Sequence, residues 1–179
     1  MEDAVRLGAD AVGYTLYVGT PAQEADFAQY RVVREDAIRF GIPLIVWSYP
    51  RGEAVDSKGG TDSFYAVDYA ARVASEVGAD IVKVTFPHPE KRTNVKAGYD
   101  TQFSTQEAMN AVVRSANKTL VLISGGSKDS DEVMFKRGDE AMNAGATGFI
   151  FGRNVWQREY SESLQFIGKL REILAAHPS

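Results

Sequence analysis

Ala79-Asp80-Ile81-Val82-Lys83-Val84-Thr85-Phe86 is the stretch on which the fold turns, an apolar, largely β-branched run led by Gly78 and closed by Pro87, with one lysine at its centre. Such a run between turn residues reads as a strand. Four others share its character: Ala9 to Leu16, Ile42 to Tyr49, Thr119 to Gly125 and Ala146 to Gly152. Helical periodicity fills the intervals, and the strand ends recur about every 30 to 40 residues, which is one βα unit each. Repetition of this kind predicts an α/β fold with a parallel sheet, specifically a (β/α)8 TIM barrel. A closed barrel takes eight units in roughly 250 residues. With five units in 179 residues, the chain is expected to hold the C-terminal five, strands 4–8. Residues 1–179 would form a single partial barrel domain without the N-terminal three units.

Between the runs the period changes from two to 3.6. Tyr30, Val33, Ala37 and Phe40 share a helical face before Gly41. Val67, Ala70, Ala71, Ala74 and Val77 repeat the pattern before Gly78, with small alanines that allow close approach to a sheet. Ser104 and Glu107 have capping-box spacing ahead of Ala108, Val112 and Val113, so a helix is predicted to start there. Leu164, Ile167, Leu170 and Leu174 are the predicted apolar face of the last helix. The interval from His88 to Phe103 is the longest irregular segment, a length common in lids and contact loops.

Composition narrows the class. Apolar residues make up 44% and charged residues 25% of the chain, the balance of a globular protein. A net charge of −4 supplies no basic surface for nucleic acid, and any phosphate recognised here is expected to be small and locally bound. With no cysteine, disulfides, thiol catalysis and thiolate metal sites are excluded, and a cytoplasmic location fits. The acidic start Met-Glu-Asp-Ala-Val-Arg is unlike a secretory leader, and no apolar run reaches membrane-spanning length, so no membrane partner is expected.

Active groups of such barrels gather at the carboxyl ends of the strands. Lys83 shares its strand face with Ile81 and Thr85. If that face is the barrel interior, burial disfavours the ammonium and leaves an amine able to attack a carbonyl. The alternative is a lysine that snorkels to the rim. Trp47 and Tyr49 share a face at the end of the preceding run, where a phenol beside an amine can move protons and an indole can exclude water. Aromatic residues there also serve as core filler. Ser124-Gly125-Gly126-Ser127-Lys128 and Gly152-Arg153-Asn154 follow the last two runs, and glycines there admit an anion to the backbone N–H groups. A Gly-Gly pair can equally be a plain turn. Two such loops after consecutive strands, the second with an arginine, form the pattern of a barrel phosphate site.

Tyr14 to Gly19, Val46 to Gly52 (Val-Trp-Ser-Tyr-Pro-Arg-Gly), Asp80 to Val84 (Asp-Ile-Val-Lys-Val), Ile123 to Lys128 (Ile-Ser-Gly-Gly-Ser-Lys) and Gly152 to Gln157 (Gly-Arg-Asn-Val-Trp-Gln) resemble class I fructose-bisphosphate aldolases of the archaeal type, a family also found in bacteria. The resemblance covers essentially the whole chain. It implies reversible cleavage of fructose 1,6-bisphosphate to dihydroxyacetone phosphate and glyceraldehyde 3-phosphate, in glycolysis or gluconeogenesis, through a lysine Schiff base and with no cofactor. Lys83 would form the imine, Tyr49 would move the proton at carbon and Trp47 would line the site. Ser124, Gly125, Gly126, Gly152 and Arg153 would hold the phosphate. It also implies a homo-oligomer with a phosphorylated sugar or triose phosphate as its ligand. Family members carry an acidic residue on the first barrel strand, and no residue here is assigned that role. A metal mechanism is not expected, because His88 and His177 are the only histidines and no ligand cluster is visible. Two alternatives stand beside this reading. One is a related lysine-dependent aldolase, transaldolase or thiolase barrel acting on another phosphosugar. The other is a phosphosugar-binding fragment without catalysis.

Overall fold

A computed structural model describes residues 1–95, 97–126 and 129–177. In chain order the elements are α1 (Glu2–Arg6), β1 (Val12–Leu16), α2 (Gln23–Phe40), β2 (Leu44–Ser48), α3 (Glu53–Asp56), α4 (Phe64–Glu76) and β3 (Ile81–Thr85). These are followed by α5 (Thr105–Ser115), β4 (Leu120–Ser124), α6 (Asp131–Asn143), β5 (Gly148–Ile150), α7 (Arg153–Trp156) and α8 (Tyr160–Ala176). Every strand falls inside one of the five apolar runs. All four pairings are parallel and the sheet order follows the chain, β1-β2-β3-β4-β5.

Strand alternation sorts the side chains into two layers. Leu44, Val46, Val82, Val84, Val121 and Ile123 face the helices and are buried. They share one core with Val67, Ala70, Ala71 and Ala74 of α4, which lies against β2 and β3 and whose short side chains let it sit close to the sheet, as the alanine pattern predicts. The opposite, inner face carries Ile45, Trp47, Ile81, Lys83, Thr85 and Leu122, each half-buried. The core therefore lies between sheet and helices, and the inner face is the one left accessible.

Polar side chains fix the strands. Asp80 accepts a hydrogen bond from the Leu44 N–H at 2.9 Å, and the Thr119 hydroxyl donates to the Ala79 carbonyl at 3.1 Å. Ser48 is buried and donates to the Ala70 carbonyl at 2.8 Å, which locks β2 to α4 and turns Trp47 and the following Tyr49 toward the inner face. Tyr30 of α2 packs edge-on against Tyr14 at 5.4 Å, and burial pushes its phenol up to about 12. At α5 the capping box forms as expected: the Ser104 hydroxyl accepts from the Glu107 N–H, and the Glu107 carboxylate accepts from the Ser104 N–H at 2.8 Å.

Two expectations are corrected. Leu164 and Ile167 do not belong to the inward face of α8, since they are 52% and 37% exposed. Leu170 is buried as expected, and Ser163 and Phe166 are buried with it. The cause is an aromatic cluster: Phe166 lies 5.2 Å from Phe135 and 6.1 Å from Phe151, and seating that ring rotates the helix by about one residue. The segment from His88 to Phe103 sends Tyr99 and Phe103 against Phe64 of α4, at 5.1 and 4.9 Å, and the Tyr99 phenol donates to Asp68. Its described residues pack on the helical layer and none lines the cavity described next.

Candidate active site

At the carboxyl ends of β2 to β5 lies a cavity of about 470 Å³ whose wall includes Tyr49, Arg51, Lys83, Thr85, Ser124 and Arg153. Residues from four strands converge there because a parallel sheet brings all its carboxyl ends to one side. Lys83 points from the middle of β3 along the inner face, and its Nζ donates to the Tyr49 hydroxyl at 2.6 Å. The ammonium also sits 5.1 Å from the centre of the Tyr49 ring, and the Arg51 guanidinium lies 5.4 Å from the same centre. Tyr49 is held just past β2 by backbone pairing, its N–H donating to Leu16 and its carbonyl accepting from Val18. The amine is half-buried rather than enclosed, since the inner face is accessible at this end.

Ser124 ends β4 opposite Thr85, and Gly125 and Gly126 carry the chain across the mouth of the cavity. Gly152 and Arg153 come from the turn after β5. The two turns touch: Asn154 is buried and its Nδ2 donates to the Gly125 carbonyl at 3.3 Å. A Cβ at Gly125 would stand 2.4 Å from both Asn154 Nδ2 and Phe151 Cδ1, so only glycine allows the approach. The exposed Arg153 guanidinium completes a polar rim able to bind a dianion. Ser127 and Lys128 of the same motif lie outside the described residues.

The structure thus gathers Lys83, Tyr49, Ser124, Gly125, Gly126, Gly152 and Arg153 around one space. Trp47 stands apart from it. It is the register neighbour of Lys83 on the inner face, yet its indole lies over Gly13 of β1, where a Cβ would come within 2.0 Å of Trp47 Cζ3, and it does not line the cavity. Trp156 of α7 does line it, 70% exposed. Thr61, Thr85, Asn154 and Trp156 were not singled out as site residues. Period-two alternation from Lys83 marks Thr85, and the Gly152 to Gln157 motif contains Asn154 and Trp156. Thr61, in the turn before α4, has no signal of its own. Among the described residues no three histidine, aspartate or glutamate side chains gather as metal ligands, and no helix is long and apolar enough to cross a membrane.

Comparison with known proteins gives this arrangement a family. Residues 1–158 match the DeoC/LacD family aldolase model. The fructose-bisphosphate aldolase class 1 of Thermoproteus tenax is 38% identical over 97% of this chain and 59% of its own length. Its counterpart from Halobacterium salinarum is 39% identical over 88% of this chain and 52% of its own. This chain therefore spans just over half of each relative. A solved archaeal fructose-1,6-bisphosphate aldolase, with its catalytic lysine covalently bound to the carbinolamine intermediate of the substrate, superposes with a TM-score of 0.80 at 36% identity, over 97% of this chain and 61% of that one. By the match to that family model over most of its length and by these relatives, the chain belongs to the DeoC/LacD family of aldolases.

Proposed function

We propose that this protein acts as a class I fructose-bisphosphate aldolase, and that its five strands correspond to strands 4–8 of a (β/α)8 barrel, residues 1–179 forming a single partial barrel domain. The contact between Lys83 Nζ and the Tyr49 hydroxyl, at 2.6 Å and beside the paired glycine turns, carries the reading. An amine held by a phenol is a nucleophile with a proton carrier in place. Lys83 attacks the substrate ketone, water leaves, and the resulting iminium withdraws electrons from the neighbouring carbon–carbon bond. Cleavage releases glyceraldehyde 3-phosphate and leaves an enamine. Tyr49 protonates that enamine at carbon, and hydrolysis frees dihydroxyacetone phosphate. Ser124, Gly125, Gly126, Gly152 and Arg153 hold the phosphate through hydroxyl, backbone N–H and guanidinium donors, which fixes the ketone over Lys83. Trp47 shields the inner face beside the lysine rather than contacting the phosphate.

The reading includes a cytoplasmic location, with which the lack of cysteine agrees. It also includes self-association, supported by the exposed Trp156, Tyr160 and Leu164 on α7 and α8. The experiment is borohydride reduction in the presence of dihydroxyacetone phosphate, followed by peptide mass mapping. A stable adduct on Lys83, absent from Lys83→Met, is the expected result. A folded protein that binds the phosphosugar without forming an adduct would sink the Schiff-base reading and leave the binding fragment. Aldol-cleavage assays over several phosphosugars separate fructose 1,6-bisphosphate from other substrates.

A further inference from the structure

Three buried side-chain oxygens among the described residues have no hydrogen-bond partner: Tyr30 Oη, Asp68 Oδ1 and Thr85 Oγ1. Of these residues only Thr85 lines the cavity. It stands two residues past Lys83 on β3, hence on the same inner face, and pairs in register with Ser124. It therefore occupies the ground between the amine and the Ser124–Gly126 turn. A hydroxyl without a partner destabilises a protein in a way that valine, of nearly the same shape, would not. Such a group beside a cavity is satisfied when a polar atom is brought to it, and a change between staggered χ1 rotamers is the motion its hydroxyl needs to meet one. The other non-glycine neighbours of Lys83 on this face do not offer a second orienting hydroxyl: Trp47 leans over Gly13 and does not line the cavity, and Tyr49 already holds Nζ. Ile81, Leu122 and Ile150 are apolar, and Ser124 belongs to the turn that takes the phosphate.

We infer that the Thr85 hydroxyl holds the carbonyl oxygen of the substrate while Lys83 attacks it and while that oxygen leaves as water. The inference rests on the Schiff-base reading above and assigns a substrate contact that the reading lacks. In the first step the amine nitrogen bonds to the carbonyl carbon, the C=O π pair moves to oxygen, and oxygen takes a proton from the nitrogen, giving a neutral carbinolamine. In the second step the C–O bond breaks and its electron pair leaves with oxygen. The Tyr49 phenol supplies one proton to complete water, and the nitrogen lone pair closes the C=N bond. Tyr49 approaches from β2, where it touches Nζ, and Thr85 lies further along β3. The proton donor and the group that orients the departing oxygen are thus different residues on different strands.

The test is exchange of the C2 oxygen of dihydroxyacetone phosphate with 18O-water, followed by mass spectrometry on the full chain, on Thr85→Val and on Thr85→Ser. Thr85→Val is expected to exchange about tenfold or more slowly, the scale of one lost hydrogen bond at a reacting atom. Thr85→Ser should stay close to the parent, and all three should bind inorganic phosphate equally and be equally folded by circular dichroism. Parent-like exchange by Thr85→Val overturns the inference, as does an equal loss in Thr85→Ser, which would make the effect one of packing. If the parent neither exchanges oxygen above the uncatalysed rate nor gives a Lys83 adduct, the Schiff-base reading falls and takes this inference with it. A parent adduct together with unaltered Thr85→Val exchange rejects the inference alone.

Discussion

Tyr49 and Lys83 meet because β2 and β3 are neighbours in register, Trp47 opposite Lys83, and because Ser48 is anchored to α4 between the two aromatics. If the phenol moves protons at carbon as well as completing the departing water, Tyr49→Phe should still accumulate the Lys83 adduct at saturating dihydroxyacetone phosphate, only more slowly. Exchange of the substrate's C3 proton with deuterated water should slow by about 100-fold or more, a decrease read by proton NMR. Adduct and exchange falling together would place Tyr49 only in imine formation. Both residues were legible in the sequence, since period-two alternation from the carboxyl end of a strand fixes the side to which each points. The position of Trp47 was not. Strand parity puts it on the inner face, but whether an indole leans toward the lysine or over β1 depends on the missing Cβ of Gly13, a contact 34 residues away in the chain. Thr61 was silent because it enters the cavity from a turn, where no periodicity constrains direction.

Among the elements, the two turns after β4 and β5 behave as one unit. Gly125→Ala forces a Cβ into Asn154 and Phe151, and is expected to cost about 1–3 kcal/mol in chemical denaturation and to weaken phosphate binding while Lys83 keeps its contact with Tyr49. Unchanged phosphate affinity would show that the contact between the turns does not shape the anion site. The start of α5 gives a pH prediction. Hydrogen bonds from the Ser104 N–H and hydroxyl hold the Glu107 carboxyl below its ordinary 4.5. A depressed carboxyl stabilises the fold fully above that ordinary value, and the contribution is lost as pH falls through the lower folded-state value. Thermal midpoints of the parent and Glu107→Gln should therefore differ most above the ordinary 4.5, and the difference should shrink as pH falls below it. A constant difference across that range would remove the carboxylate from the cap. The capping box was legible because its two residues are three apart. The buried face of α8 was not, because leucine spacing alone could not anticipate that Phe135 and Phe151, from other elements, claim Phe166.

At the scale of the molecule, the parallel α/β architecture was readable because every strand repeats one local rule, an apolar run after a helix stop. The distribution of burial between the two faces was not readable, since Ile81 and Val82 are equally apolar and only the packing of helices on one side distinguishes them. That asymmetry is measurable. Val82→Ala empties fully buried space and should cost about 2 kcal/mol. Ile81→Ala removes more carbon from a half-buried position and should cost about 1 kcal/mol. A larger loss at Ile81 in urea unfolding would mean that the inner face is covered in solution, as by a second copy of the chain. The placement of the two tryptophans has an optical consequence. Trp156 stands at the rim of the cavity, 70% exposed, whereas Trp47 is half-buried against Gly13. Their indoles emit from different surroundings, so in a Trp47→Phe protein the remaining fluorophore sits beside Arg153 at the cavity mouth, and its emission colour and quenching turn the protein into its own spectroscopic gauge of occupancy.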